Sequence, residues 1–241
     1  KNSEEHIDRV LSIMPHSSVQ KEYFNNPLTK GRIFKDLIFG RVPTLRTMDQ
    51  LIVYGDPATS NTSSKGSSFK VVLLMGRKGN ITYIIKAFCK QCTQSEFIQA
   101  YYDMYTLVQT EGCKAKYYME CNSLQKGFFE VYYEPEFRRI SNQLHVDLYV
   151  IKDDRQKGKK FDRIDKTLEP ANRLGWLIFN EKEEKNPDME AVIGQFKAVS
   201  PTYTGAMDAP DGAEGGYKVL DKKGGMALNT YRYQHRSSRR F

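Results

Sequence analysis

Three acidic side chains stand at points where predicted strands end or a predicted helix begins. Asp56 and Glu120 each follow an apolar run that predicts a buried strand, so both carboxylates are expected where a sheet opens to solvent. Asp208 opens a predicted final helix. Carboxylates gathered at one edge of a sheet repel one another unless a divalent cation neutralises them, and oxygen ligands suit Mg²⁺ or Mn²⁺. The pattern therefore predicts a metal site suited to phosphodiester cleavage.

Each acid alone also has a purely structural interpretation. Asp56 precedes Pro57 and could be a turn residue that ends a strand, while Asp208 could be the N-cap of a helix. The interpretation as a metal site depends on the three acids occurring together in this order along the chain.

A site of this kind is expected to hold two ions, about 3.5–4 Å apart, around one phosphate. In that arrangement Asp56 bridges the ions, Glu120 holds one ion and Asp208 holds the other. Asp211 is an alternative or additional ligand, because residues three apart in a helix share a face. The sequence leaves the choice between Asp208 and Asp211 open.

The charge balance favours a polyanionic partner. The 241 residues include 37 Lys and Arg against 29 Asp and Glu, giving a net charge of +8 and a pI near 9.1. Part of the excess lies in 222–241, which contains six basic residues and no acidic one. The sequence has no apolar stretch of membrane-spanning length and no signal-peptide pattern, so we expect a cytoplasmic protein without a membrane partner.

A second basic region is predicted to bind DNA phosphates. Between residues 152 and 166 seven basic residues accompany four acidic ones. Phosphate neutralisation by such a segment needs no recognition of base sequence. A solvated surface loop is the alternative interpretation. Lys65 lies in the Ser-rich stretch after Asp56 and could reach a phosphate beside the metals. The DNA-binding candidates are Lys65, Lys157, Lys159, Lys160 and Arg163.

Apolar runs and turn signals predict an α/β fold. A capping box at 93–96 begins a helix that Gly112 ends, and further helices and strands alternate after it. This order is that of the ribonuclease-H-like fold: a mixed sheet, made of an antiparallel three-strand meander plus parallel strands, flanked by helices. The predicted strands are 50–55, 69–75, 81–88, 114–119, 145–151 and 176–179.

Three regions are expected along the chain. Residues 1–47 form an N-terminal helix and an extended lead-in, with the helix at 4–14. Residues 48–220 form the ribonuclease-H-like domain, and 221–241 form a basic C-terminal tail.

The acidic motifs and their spacing resemble those of the C-terminal nuclease domain of tailed-phage large terminases. The motifs are Gly-Asp-Pro-Ala at 55–58, Tyr-Met-Glu-Cys-Asn at 118–122 and Asp-Ala-Pro-Asp-Gly-Ala-Glu-Gly at 208–215. The segments 160–164 and 175–179 also look like that family's connector between core strands. This chain departs from the family at Met207, where a His or Asp is common, and at Gly212-Ala213, where Ala-Leu is usual.

The resemblance implies a Mg²⁺- or Mn²⁺-dependent endonuclease that cuts concatemeric double-stranded DNA at the assembling capsid in the bacterial host. It also implies the portal protein, the small terminase subunit and an ATPase motor domain as partners. This chain contains no Gly-x-x-x-x-Gly-Lys-Ser/Thr loop, so the motor is expected to lie outside it. A non-catalytic DNA-binding or assembly module of the same fold, or a related resolvase or transposase, remains an alternative.

Overall fold

A mixed seven-stranded sheet forms the centre of the computed structural model, which describes residues 11, 13–14, 18–19, 33–58, 68–121 and 126–221. The strand order across the sheet is β1-β7-β4-β3-β2-β5-β6. The strands are β1 (Phe39–Gly40), β2 (Gln50–Asp56), β3 (Lys70–Lys78), β4 (Ile81–Lys90), β5 (Lys116–Glu120), β6 (Val150–Asp153) and β7 (Leu177–Asn180).

The sheet combines an antiparallel meander with two parallel wings. Strands β2, β3 and β4 pair antiparallel, β5 and β6 continue in parallel from β2, and β7 and β1 continue in parallel from β4. The hairpin between β3 and β4 closes through Gly79 and Asn80, and Gly79 has the positive φ of 60° that such a two-residue turn requires. The predicted mixed sheet is therefore confirmed.

Five helices of two turns or more cover the two faces of the sheet within the described residues. The first of them begins at the predicted capping box, in which the Thr93 side chain accepts from the Glu96 amide and the Glu96 carboxylate accepts from the Thr93 amide. The helices are α1 (Gln94–Thr110), α2 (Glu134–Leu144), α3 (Lys160–Arg173), α4 (Pro187–Ala198) and α5 (208–221). None of the described helices is both long and apolar enough to cross a membrane.

Both faces of the central strands are buried, which explains their nearly continuous apolar sequences. On β2, the side chains of Ile52 and Tyr54 pack toward α3, α4 and α5, whereas Val53 packs toward α1 and α2. Phe196 of α4 and Phe97 of α1 are fully buried members of these two cores. The sheet is thus packed between helical layers.

The predicted strand at 145–151 begins too early. His145 has a φ of 53° and is the left-handed C-cap of α2, and the Val146 amide then bonds the Ser141 carbonyl. The pairing in β6 begins only at Val150. The alternation of apolar and polar residues from 145 onward resembles a strand, but its first residues serve to end the helix.

Residues before the predicted domain start also belong to the sheet. β1 pairs with β7, the Ile33 amide donates to the Val199 carbonyl over 3.1 Å, and the Phe34 ring packs on Phe196 with centroids 5.0 Å apart. Most of the predicted helix at 4–14 and all of the basic tail at 222–241 lie outside the described residues.

Candidate metal centre

Three buried carboxylates converge at one edge of the sheet. β2 and β5 are parallel neighbours whose last paired residues are Gly55 and Met119, so the next residues, Asp56 and Glu120, emerge side by side. Asp211 reaches them from α5. One oxygen of each of the three acids lies within 4.8 Å of the others, and the residues are 8%, 8% and 3% exposed.

Glycines allow α5 to approach the sheet closely enough for Asp211 to reach this cluster. A Cβ at Gly215 would overlap the ring of Tyr54, and a Cβ at Gly216 would overlap the sulfur of Met75. A Cβ at Gly212 would lie 4.0 Å from the Cβ of Asp56. The helix therefore packs on β2 and β3 through its backbone on this face.

Burial and mutual repulsion change the ionisation of the cluster. Burial, together with the nearby charges of Glu120 and Asp211, raises the pKa of Asp56 to about 7, although Lys160 opposes the rise. Burial also raises the pKa of Glu120, against the opposing charge of Lys157. Three buried carboxylate oxygens without a sulfur or nitrogen donor form a set that fits Mg²⁺ or Mn²⁺ better than zinc.

Asp56 also has the turn role that its sequence suggested. Its Oδ1 accepts a hydrogen bond from the Ala58 amide over 3.2 Å, and Ala58 has a positive φ of 45°. This bond orients the carboxylate at the end of β2, so the structural role supports the convergence with Glu120.

Asp208 lies one turn before Asp211 and is outside the group of three. Its Oδ2 accepts from the Phe69 amide over 2.9 Å, and its Oδ1 accepts from Lys160 over 3.0 Å. Asp208 thus ties the start of α5 to the residue that precedes β3. Among the described residues, the geometry groups Asp211 with the acids at the ends of the strands, while the ligand role of Asp208 stays a prediction.

Three of the predicted DNA-binding residues point into the acidic cluster. Lys157 Nζ is 2.5 Å from a Glu120 oxygen, Lys160 Nζ is 3.3 Å from Asp211, and Arg163 Nη2 is 2.6 Å from Asp211. Lys159 is exposed just before α3.

The DNA-binding roles of these four residues therefore stay predictions, and Lys65 lies outside the described residues.

The acid–base contacts form a ladder between α5 and the region around the start of α3. The basic residues of the ladder are three apart in sequence, and so are the acidic ones. Glu214, which sequence reasoning missed, accepts from Arg163 over 2.7 Å and from Thr167 over 3.4 Å. The matched three-residue spacing was the signal that could have predicted it. The ladder comprises Lys157, Lys160 and Arg163 facing Asp208, Asp211 and Glu214.

Another buried carboxylate, also missed from sequence, lies beside Glu120. Asp153 ends β6 in register with Glu120 and accepts hydrogen bonds from Tyr54 over 2.6 Å and from two nitrogens of Arg155. Burial alone would raise the pKa of Asp153, but the hydrogen bonds from Arg155 and Tyr54 hold it below its ordinary value. Arg155 also donates to the Gly215 carbonyl over 2.9 Å, so this network ties β6 to α5.

Solved structures with a similar fold include terminase proteins. The large terminase of a thermophilic bacteriophage matches with a TM-score of 0.56 at 11% identity, covering 91% of this chain and 53% of that chain. The human cytomegalovirus terminase nuclease domain matches with a TM-score of 0.53 at 14% identity, covering 75% of this chain and 89% of that domain. A manganese-soaked, inhibitor-bound form of the cytomegalovirus domain has a TM-score of 0.52 at 14% identity, with the same coverage.

These similarities confirm the predicted ribonuclease-H-like fold. They also confirm that the fold resembles that of terminase nuclease domains. The chain spans about half the length of the thermophilic phage's large terminase, since the match covers 53% of that protein. No protein-family model and no curated protein matches the sequence.

Proposed function

We propose that this chain is a metal-dependent endodeoxyribonuclease, the nuclease domain of a tailed-phage or prophage large terminase. It would cut concatemeric double-stranded DNA during genome packaging. The observation that carries the proposal is the convergence of Asp56, Glu120 and Asp211 at the open edge of a sheet with the terminase nuclease fold. The cluster lies at the carboxyl ends of the parallel strands β2 and β5. Ligand-binding sites on open α/β sheets are commonly found at such strand ends.

The residues of the cluster have separate roles in this proposal. Asp56, at the end of β2, would be a ligand to both ions, Glu120 would hold one ion, and Asp211 would hold the other with help from Asp208. Two bound divalent cations would supply an activated water and stabilise the leaving oxygen of an in-line displacement. The burial of the carboxylates favours this chemistry, because electrostatic interactions strengthen where water is excluded.

DNA binding is assigned to the basic surface around the site. Lys159 is exposed and directly precedes Lys160 in the chain, and Lys65 follows Asp56 in the sequence. Lys157, Lys160 and Arg163 would place positive charge next to a phosphate held by the metals. The resemblance further implies the portal protein, the small terminase subunit and an ATPase motor domain as partners at the assembling capsid in the host cytoplasm.

One observation favours a second candidate, a non-catalytic DNA-binding or assembly module. Lys157, Lys160 and Arg163 already neutralise the acidic cluster through ion pairs with Glu120, Asp208 and Asp211, as they would in a protein that had lost its metals. A related resolvase or transposase is a third candidate and would prefer branched or end-specific DNA over plain duplex.

Incubation of supercoiled plasmid with Mn²⁺, with and without chelator, tests the proposal. Wild-type protein should nick and linearise the plasmid only with metal, and Asp56→Asn should not. The matched control is Asp103→Asn, which removes an exposed carboxylate on α1. Nicking that persists in Asp56→Asn would indicate a contaminating nuclease and would favour the binding module.

A further inference from the structure

Lys157 occupies a position between two of the candidate metal ligands. Its Nζ is 2.5 Å from Glu120 Oε2 and 3.9 Å from Asp211 Oδ1, and its side chain is only 13% exposed. The three carboxylate oxygens lie within 4.8 Å of one another, so an ion that contacts Glu120 and Asp211 would need much of the same space. The ammonium group therefore stands where a cation is required.

The other two cations of the ladder are held differently. Arg163 belongs to α3 and is shared between Asp211 and Glu214 over 2.6 and 2.7 Å, and it also donates to the Gly158 carbonyl. Lys160 is the first residue of α3 and pairs with Asp208 and Asp211. The helix fixes the backbone of both residues, and the Arg163 guanidinium is in addition bonded to two acids and to a carbonyl, so it cannot leave the cluster without breaking all of these contacts.

Lys157 lies instead in the irregular segment 154–159 between β6 and α3. The start of this segment is anchored by Arg155, which bonds Asp153 and the Gly215 carbonyl, and α3 follows its end. Rotation about the side-chain bonds of Lys157, or a small shift of the segment, would remove its ammonium from the cluster while both ends stay in place.

We propose that Lys157 is an exchangeable counter-ion, which neutralises Glu120 and Asp211 in the metal-free protein and is displaced when a divalent cation binds. The inference rests on the proposed function, since it concerns the same site. Arg163 stays in place and positions Asp211. An ion between Glu120 and Asp211 would be repelled by an ammonium group in the same space, and a doubly charged ion of smaller radius has the stronger attraction for the carboxylates.

Competition of this kind has a direct thermodynamic consequence. The metal must break the pair between Lys157 and Glu120 before it can bind, so the lysine weakens the apparent metal affinity of the free protein. The residue would thus prevent tight metal binding by an idle nuclease and would become available to a phosphate once metal is present.

Calorimetric titration of the DNA-free protein with Mn²⁺ tests the proposal without reference to cutting. Lys157→Met should bind Mn²⁺ on the order of tenfold more tightly than wild type, as expected from the coupling energies of close charge pairs. The matched control is Lys159→Met, which removes an equal charge two residues away from an exposed position, and its affinity should stay within about twofold. Lys157→Arg keeps the charge and should bind Mn²⁺ no more tightly than wild type.

The outcomes separate this inference from the proposed function. Equal or weaker Mn²⁺ binding by Lys157→Met, in a protein that binds the metal and cuts DNA, overturns the counter-ion role alone. An equal gain in Lys159→Met also overturns it, because the effect would then come from net charge. If neither wild type nor Lys157→Met binds Mn²⁺, the proposed function fails together with the inference. Thermal melting in chelator checks that each variant is folded, and Lys157→Gln replaces Lys157→Met if the latter is not.

Discussion

Arg163 donates from Nη2 to Oδ1 of Asp211 across 2.6 Å, so the carboxylate that completes the acidic cluster is held by a guanidinium on a neighbouring helix. The same guanidinium bonds Glu214 over 2.7 Å. Both acids are 5% exposed at the side chain and Arg163 is 16% exposed, so the pairs are largely shielded from water. The site is thus positioned by contacts between helices as well as by the ends of the strands.

Replacement of Arg163 by Leu should remove this positioning. We expect metal-dependent cutting to fall by about 10- to 100-fold, since the partners of a metal ligand orient it. The free energy of unfolding should fall by about 3 kcal/mol, because the buried Asp211 and Glu214 would lose the guanidinium that they share. Plasmid nicking and urea unfolding measure the two effects.

Arg138→Leu is the control for that experiment, because Arg138 forms an exposed pair with Glu134 on α2. Normal nicking by Arg163→Leu would show that Asp211 does not depend on the guanidinium.

The variant Asp56→Asn should separate activity from stability. Cutting should fall on the order of 1,000-fold, because the carboxylate proposed to bridge the metals is lost. In chelator the variant should be at least as stable as wild type, since a buried charge that repels Glu120 and Asp211 is removed. Nicking assays and urea unfolding in chelator measure these effects, and a marked loss of stability in the metal-free protein would contradict the repulsion.

The raised pKa of Asp56 predicts a pH dependence of the metal-free protein. The folded-state pKa is about 7 and the ordinary value is 3.8, so the folded protein retains a proton that the unfolded chain has released between these pH values. The free energy of unfolding should therefore fall as pH rises from about 4 to about 7, by a few kcal/mol in total. The difference in the free energy of unfolding between wild type and Asp56→Asn, measured by urea unfolding in chelator across this pH range, isolates the contribution of Asp56.

Bound Mn²⁺ should oppose this loss of stability at higher pH. Since Mn²⁺ competes with the proton on Asp56, stabilisation by Mn²⁺ should be larger at pH 8 than at pH 6. Thermal melting with and without Mn²⁺ at the two values provides the comparison, and stabilisation that is independent of pH would argue against Asp56 as a ligand.

Two helix glycines, one in α5 and one in α4, give a matched pair of substitutions. Gly215→Ala should destabilise the protein by about 1–3 kcal/mol, because its Cβ would overlap the ring of Tyr54. Gly194→Ala, in the interior of α4, should stabilise it by about 0.5–1 kcal/mol, because a Cβ there meets no atom within 4 Å. Urea unfolding measures both changes, and similar values for the two would contradict the close approach of α5 to β2.

DNA affinity should fall steeply with added salt. Neutralised phosphates release counter-ions, so the logarithm of the binding constant should decrease linearly with the logarithm of the salt concentration. Lys159→Met should lower the slope by about 1, since it removes one exposed charge next to Lys160 in the chain. Fluorescence anisotropy on duplexes of unrelated sequence measures the slope, and a flat response would exclude the electrostatic mode of binding.

Local sequence patterns were sufficient for much of the fold. The apolar runs predicted β2, β3, β4 and β5, and the Thr93–Glu96 box marked the start of α1, because burial and capping depend on residues that are adjacent or one turn apart. The strand at 145–151 was misplaced because ending a helix and beginning a strand use similar short patterns, and only the positive φ of His145 separates them.

The sequence by itself predicted that two acids end strands and that others lie on a later helix, since apolar runs and helical spacing are local properties. Only the tertiary structure decided that Asp211 rather than Asp208 joins Asp56 and Glu120, and that Lys157 and Arg163 turn inward to meet them. The physical reason is that the rotation of α5 about its axis is set by the contact of Gly215 and Gly216 with Tyr54 and Met75. Such a contact joins residues more than a hundred positions apart, and no local pattern encodes it.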